Sequence, residues 1–204
     1  MRVGVIQASS QRDKNPRIYE CTKKAAGRHG HEVINFGVFP DEREDWTYVE
    51  TALLISLLLS RGAVDFIVTG CSSGQGMMLA CNSLPGVLCG YLPTPQDAFL
   101  FGRINGGNAA SLPLGLGFGW MGEINLQCTL DKLFEGGFGV GWPPEEAERK
   151  RRDAGLLRKL SGMTKRGMTE CFERYPRELT VKALTRGNVM EYIEKFGKVA
   201  GGGA

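Results

Sequence analysis

The chain has 204 residues, of which 42% are hydrophobic and 23% are charged, and its formal net charge is +3. This composition lies near the globular average, and no run of about 18 apolar residues is present that could span a bilayer. The length suits one main domain with an appendage, since domains commonly have about 100 to 150 residues. The segment MRVGVIQAS has neither the long apolar core nor the cleavage site of a signal peptide. We expect a cytoplasmic protein with no membrane partner.

The cysteines and histidines do not form a metal-binding pattern. The six cysteines are scattered without a CxxC pair, and only two histidines accompany them. In a cytoplasmic chain such cysteines are expected to be free thiols. We therefore expect neither a disulfide framework nor a bound metal.

The excess of basic residues lies near the C-terminus. Residues 145–198 contain 14 Lys and Arg against 9 Asp and Glu. The two signs are mixed and few aromatic residues lie between them, which is typical of solvated helix faces rather than of a nucleic-acid surface. We expect no nucleic-acid partner.

Up to about residue 140, short apolar runs alternate with longer helical patterns. This alternation is typical of a parallel β-sheet that is covered by helices on both faces. We predict an α/β fold, namely a Rossmann-like three-layer sandwich with a five-stranded parallel sheet. The predicted strands are RVGVIQA, HEVINFG, VDFIVTG, GVLCGYL and AASLPLG.

Helical segments lie between the predicted strands. Asn15 is placed as the cap of the first helix, with Pro16 at its first position and its end near Gly30. The segment WTYVETALLISLLLSRG is apolar nearly all round, which predicts burial against the sheet and against a further element or subunit. GFGWMGEINLQCTLDKLFEGG is the last helical segment before the pattern changes.

The change occurs at Pro143 and Pro144, after which only helical patterns follow. We divide the chain into a domain at residues 1–142, a helical C-terminal extension at 143–196 and a disordered tail at 197–204.

The segment GCSSGQG directly follows the third predicted strand. In open α/β sheets, ligands bind outside the carboxyl ends of the strands. Gly74 and Gly76 permit a tight turn in which successive N–H groups point inward at a helix start, and such a nest binds an anion. The segment lacks the dinucleotide-binding context and the P-loop lysine, so neither a nicotinamide cofactor nor ATP is expected.

Cys71 has two interpretations on this local pattern. A thiol beside such amides and a helix N-terminus is suited to act as a base or nucleophile. However, free cysteine is among the most buried residue types, and glycine and serine are common wherever a strand turns into a helix. Both interpretations stay open at this level.

Several motifs can be matched more widely. CSSGQGMMLACNSLPG is similar to a cysteine followed by GTGxG and an apolar helix, and PQDAFLFGRINGGN falls at the position of a His-Asn-Asp loop. HGHEVINFG and LFEGG match a second strand and the end of a domain. Residues 1 to about 140 thereby resemble the ribose-5-phosphate isomerase B family, which includes the galactose-6-phosphate isomerase subunits.

The resemblance implies aldose–ketose isomerisation that needs no metal or cofactor. Cys71 is similar to the family's catalytic thiol, which moves a proton between the two carbons of an enediolate. Ser73 takes the place of a threonine whose hydroxyl helps to move a proton between the substrate oxygens. The glycine-rich amides and an asparagine would face the developing negative charge. The predicted substrate-binding residues are Ser9, Ser72, Gly74, Gln75, Gly76 and Asn105.

The departures from the family bear on the substrate. Ala8 and Ser9 stand where the family has an Asp-His pair, Ile104 stands in place of the ring-opening histidine, and Phe138 in place of an arginine that grips phosphate. A substrate that cannot cyclise needs no acid to open it. We therefore expect an open-chain sugar, either a tetrose phosphate or a keto-uronate.

Other basic residues can replace the missing anion ligands, and they lie on the extension or among Arg12, Lys14, Arg17 and Arg103. Each of these is more simply explained as a surface charge. Because the family's site lies at a dimer interface, a homodimer or a dimer of dimers is expected, with a small-molecule sugar as ligand. The alternative function is a non-catalytic sugar or anion sensor, in which the nest binds and Cys71 does no chemistry.

Overall fold

The computed structural model describes residues 1–198, and the last six residues of the predicted tail lie outside the described residues. Five parallel strands form one sheet in the order β2-β1-β3-β5-β4. The strands are β1 (Arg2–Ile6), β2 (Glu32–Gly37), β3 (Phe66–Cys71), β4 (Cys89–Tyr91) and β5 (Ala109–Pro113). The central β3 is buried at every residue, which suits a parallel strand covered on both faces.

Helices cover both faces of the sheet. The α-helices are α1 (Asn15–Gly27), α2 (Tyr48–Ser60), α3 (Gln75–Asn82), α4 (Pro95–Leu100), α5 (Gly122–Phe134), α6 (Ala147–Thr164), α7 (Met168–Arg174), α8 (Arg177–Leu184) and α9 (Gly187–Phe196). One apolar core joins the sheet to α2 and α3, and a second core joins the opposite face to α1, α4 and α5. The predicted α/β class, with its three layers and five parallel strands, is confirmed.

The first helix begins differently from the prediction. Lys14 occupies the cap position, and α1 ends at Gly27 rather than near Gly30. The side-chain amide of Asn15 is buried and donates to Gln7 Oε1 at 2.9 Å and to Asn35 Oδ1 at 3.0 Å. The predicted Asn15 cap is wrong because a buried polar cluster needs these hydrogen bonds.

The C-terminal extension is entirely helical from α6 to α9, as predicted. Its helices α7, α8 and α9 contact α2, and Ala183 and Val189 are buried in the same core as the α2 leucines. This contact explains why α2 is apolar nearly all round, since one side of it meets the sheet layer and the other meets the extension. The predicted boundary at residue 142 stays a proposal.

In the part of the chain that the structure describes, no helix is both long and apolar enough to cross a membrane. The cytoplasmic location stays a prediction.

Candidate active site

The sheet order places a crevice at the carboxyl ends of β1 and β3. From β1 the chain passes to β2 on one side, whereas β3 lies on the other side of β1. Loops that leave neighbouring strands in opposite directions leave a gap between them, and ligands bind at such a switch point. A cleft of about 630 Å³ lies there, and its lining residues are Ala8, Ser9, Ser10, Arg12, Asp45, Trp46, Thr47, Tyr48 and Cys71.

Cys71 is the last residue of β3 and is 7% exposed. Its carbonyl accepts a hydrogen bond from the Leu114 amide at 3.0 Å, which ties the end of β3 to the segment after β5. The side chain lines the cleft although most of its surface is covered. The thiol therefore has a fixed position at the floor of the crevice.

The predicted nest follows Cys71 directly. Gly74 has φ +76° and forms the cap of α3, so the turn needs a residue that adopts the left-handed region. Ser73 Oγ accepts a hydrogen bond from the Gln75 amide at 3.3 Å. Within residues 1–198 no protein acceptor takes the amides of Ser73, Gly74 or Gly76. These N–H groups are available to a ligand beside the thiol.

Ser9 lines the cleft and binds the segment before α2. Its Oγ accepts from the Trp46 amide at 2.6 Å, and its own amide donates to the Trp46 carbonyl at 2.9 Å. The hydroxyl can still donate its proton to a ligand. Ser9 therefore ties the loop after β1 to the wall before α2.

Ser72 is held by a residue that the sequence did not indicate. Its Oγ accepts from Gln11 Nε2 at 2.8 Å and lies 3.5 Å from Ser10 Oγ. Gln11 is buried, and its Oε1 in turn accepts from Lys14 Nζ at 2.7 Å. The only available signal was that Gln11 belongs to a polar run directly after the first strand.

Asn105 does not join the other predicted residues within one chain. It ends a short π-helical turn, Phe101–Asn105, that precedes β5. Cys71 pairs with Pro113 at the far end of β5, so the length of the strand separates the two side chains. The structure brings Ser9 and Cys71 into one cleft, with the Ser72–Gly76 turn directly after the thiol. It places Asn105 at the opposite end of the strands.

The basic side chains differ in how they relate to the cleft. Arg12 lines it and donates to the carboxylate of Asp45, to the carbonyl of Glu42 and to that of Ser9. Arg17 is an exposed residue of α1 that lines a different surface pocket beside Cys21. Arg12 is thus the candidate anion ligand that lines the cleft itself. Lys14 is linked to Ser72 through the side chain of Gln11.

Arg103 and Phe138 lie in a different place from the cleft. Arg103 is buried and donates to the Leu133 carbonyl at 3.4 Å, and burial lowers the pKa of its guanidinium. The explanation of Arg103 as a surface charge is therefore wrong, because aromatic rings cover it. The ring centroid of Phe138 lies 5.1 Å from that of Phe66, inside the second core. Neither residue contributes to the Cys71 cleft.

Among residues 1–198, no group of three or more His, Cys, Asp and Glu side chains is arranged to hold a metal ion.

Comparison with known proteins decides the family. Residues 8–124 match the sequence model of the ribose/galactose isomerase family. The chain belongs to this family. The predicted class of enzyme, an aldose–ketose isomerase, is confirmed by this membership together with the similar solved structures.

Two similar structures span nearly the whole isomerase chain, including its C-terminal extension. One is a 4-deoxy-L-threo-5-hexosulose-uronate ketol-isomerase complexed with a tartrate, with 39% identity and a TM-score of 0.91 over 98% of this chain and 94% of the other. The second is a ribose-5-phosphate isomerase from Vibrio parahaemolyticus, with 37% identity and a TM-score of 0.90 over the same shares of both chains.

The smaller family members share the fold alone. The type B ribose 5-phosphate isomerase from Trypanosoma cruzi has 19% identity and a TM-score of 0.66, over 80% of this isomerase and 99% of that chain. A comparison with curated proteins found no match.

Proposed function

We propose that this isomerase acts on an open-chain keto-uronate and that Cys71 is the base that moves the proton through an enediolate. The observation that carries the proposal is the position of the thiol in the cleft, just before the amides of Ser73, Gly74 and Gly76, which have no protein acceptor within residues 1–198. A base and preorganised donors at one point are what enediolate chemistry requires.

The reaction needs two proton movements. Cys71, acting as the base, removes the proton from the hydroxyl-bearing carbon next to the carbonyl and returns it to the former carbonyl carbon. Between these steps the negative charge lies on oxygen, where the amides of the nest stabilise it. The Ser73 hydroxyl carries the second proton from one substrate oxygen to the other.

The choice of an open-chain substrate rests on what the cleft lacks. Ile104 has no group that can donate a proton to a ring oxygen, and Phe138 packs against the second core and offers no charge to a phosphate. An acyclic sugar needs no ring opening, and a uronate carries its charge as a carboxylate. Arg12 on the cleft wall is the basic group that we assign to this carboxylate. The similarity to a ketol-isomerase of a hexosulose uronate supports this choice.

Asn105 enters the site from a second copy of the chain in this proposal. Within one chain the strand β5 separates it from Cys71, whereas the family resemblance assigns it to the oxyanion. Large apolar side chains are exposed between β5 and α5, including Trp120 at 89% and Met121 at 62%. Exposed apolar patches of this kind support association of subunits.

The substrate assignment is tested by comparing three substrates with the wild-type enzyme, namely 4-deoxy-L-threo-5-hexosulose uronate, a tetrose phosphate and ribose 5-phosphate. We expect kcat/KM for the uronate to exceed that for ribose 5-phosphate by about 10²-fold or more, because the cleft lacks the ring-opening acid and the phosphate ligand. The measurement is product formation by NMR. Faster turnover of ribose 5-phosphate would contradict the open-chain substrate, and binding of the uronate without turnover of any sugar would favour the sensor.

A further inference from the structure

One wall of the Cys71 cleft is the segment before α2, and its outer side lies against the C-terminal extension. Asp45, Trp46, Thr47 and Tyr48 face the cleft. Tyr48 also covers the nest, because a Cβ on Gly76 would lie only 3.4 Å from the Tyr48 ring. The position of this wall therefore sets the width of the cleft above both the thiol and the amides.

Arg186, between α8 and α9, binds the chain just before the Asp45–Tyr48 wall. Its guanidinium donates to both carboxylate oxygens of Glu42 and to the Phe36 carbonyl at 2.6 Å, and the residue is buried. A side chain at Gly37 would meet this guanidinium, since a Cβ there would lie 2.5 Å from Arg186 Nη2. Burial alone would raise the pKa of Glu42, but hydrogen bonds from Arg186 and from the Phe39 amide hold that pKa below its usual value.

Lys182, on α8, binds the wall at Asp45 and the first turn of α2 at Glu50. Its Nζ donates to the Asp45 carbonyl at 2.6 Å and to Glu50 Oε1 at 2.8 Å. The other oxygen of Glu50 accepts from the Thr47 amide at 2.7 Å, and the Thr47 hydroxyl accepts from the Glu50 amide, which forms a capping box. Lys182 is thereby linked through Glu50 to the first turn of α2, where Tyr48 begins the helix.

The two basic residues also enclose the indole of Trp46. Lys182 Nζ lies 5.0 Å and Arg186 Cζ lies 5.3 Å from the ring centroid. Trp46 is 1% exposed, and its backbone is bound to Ser9 on the cleft side. The indole is therefore fixed between the catalytic cleft and the extension.

We propose that Lys182 and Arg186 are positioning residues of the active site, through which the C-terminal extension holds the Asp45–Tyr48 wall at the distance that substrate binding requires. The inference rests on the proposed function only in naming the uronate as the occupant of the cleft. The contacts alone predict that loosening the wall exposes Cys71, and this exposure can be measured without substrate turnover.

The test compares Lys182→Met with wild type by the rate at which iodoacetamide alkylates Cys71, followed by mass spectrometry of its peptide. Removing the ammonium frees the wall, so we expect Cys71 to react about tenfold faster, while the fully buried Cys81 keeps its slow rate. The alkylation rate of Cys81 measures general loosening of the core, and the rate of Cys71 measures access to the cleft. Arg186→Lys is the second variant and is expected to act in the same direction, because an ammonium cannot bind Glu42 with two parallel hydrogen bonds.

Two controls separate positioning from a merely structural role. Arg177→Met changes an exposed residue of the same helix whose side chain forms no ion pair among the described residues, and it is expected to leave the Cys71 rate unchanged. Lys182→Arg keeps a charged donor and is expected to restore the Cys71 rate to within about twofold of wild type. A parallel rise at Cys71 and Cys81, or no rise at Cys71, would overturn the proposal.

Kinetics with 4-deoxy-L-threo-5-hexosulose uronate give the second readout. We expect Lys182→Met to raise KM about tenfold and to change kcat by less than about twofold, because the wall binds the substrate without reacting with it. A fall in kcat with KM unchanged would contradict this role. If wild type does not turn over the uronate, the proposed substrate fails, and the alkylation rates still decide whether the extension holds the wall.

Discussion

Gly74 is the residue whose backbone shapes the nest beside Cys71. Its φ of +76° lies in the left-handed region, and a Cβ there would lie 2.8 Å from the Tyr91 ring and 2.9 Å from the Leu112 carbonyl carbon. Backbone conformation and close packing both require glycine at this position. The direction in which the free amides point therefore depends on it.

We predict that Gly74→Ala lowers the free energy of unfolding by about 1–3 kcal/mol, because alanine is strained in this conformation. We also expect kcat to fall by about 10²-fold, since displaced amides no longer face the oxyanion. Urea unfolding and turnover of the uronate measure the two effects.

Gly162→Ala is the matched control for this substitution. It makes the same chemical change within α6, where a Cβ meets nothing within 4 Å, and it is expected to stabilise the protein by roughly 0.5–1 kcal/mol. Turnover by Gly74→Ala within a few-fold of wild type would show that the nest does not hold the reacting oxygen.

At the scale of elements, the five strands could be predicted from the alternation of short apolar runs and helices. The segment VDFIVTG became the fully buried β3, and the nest lies where a loop after a parallel strand must lie. Such patterns are local in the sequence, so they predict each strand without knowledge of the rest of the fold. The start of α1 could not be predicted in this way, because the Asn15 side chain is hydrogen-bonded to Gln7 and Asn35. The hydrogen bond with Asn35 depends on the register of β2.

The helix α2 shows the same limit in another form. Its apolar surface indicated that a second element must cover it, but the sequence pattern of α2 does not identify which element that is. The cover comes from α7, α8 and α9, which begin only at Met168, whereas α2 ends at Ser60. The contacts of Lys182 and Arg186 with the cleft wall depend on this packing, so their position at the site could not be inferred from sequence.

At the scale of the whole molecule, the separation between Asn105 and Cys71 bears on how the site is completed. A symmetric dimer makes every contact twice, so each of two sites would take Cys71 from one subunit and Asn105 from the other. The family resemblance assigned Asn105 to the site, whereas β5 separates it from Cys71 within one chain, so our proposal takes it from a second copy.

Mixing of subunits tests this arrangement. Cys71→Ala and Asn105→Ala homodimers are each expected to be nearly inactive, because each lacks one group at both sites. When the two are unfolded together and refolded in equal amounts, half of the dimers carry both types of chain, and one of their two sites is intact. We therefore expect about a quarter of wild-type activity to return. No recovery, with mixed dimers demonstrated by mass spectrometry, would contradict the shared site.

The most direct test of the central claim is deuterium incorporation from D2O into 4-deoxy-L-threo-5-hexosulose uronate, at the hydroxyl-bearing carbon next to the carbonyl. Wild type and Cys71→Ala are compared by NMR, with thermal unfolding to establish that the variant is folded. We predict that wild type incorporates deuterium and that the variant does so about 10²–10⁴-fold more slowly, because the base is lost and the nest remains. Incorporation at the wild-type rate in folded Cys71→Ala would remove the thiol from the reaction and contradict the proposed mechanism.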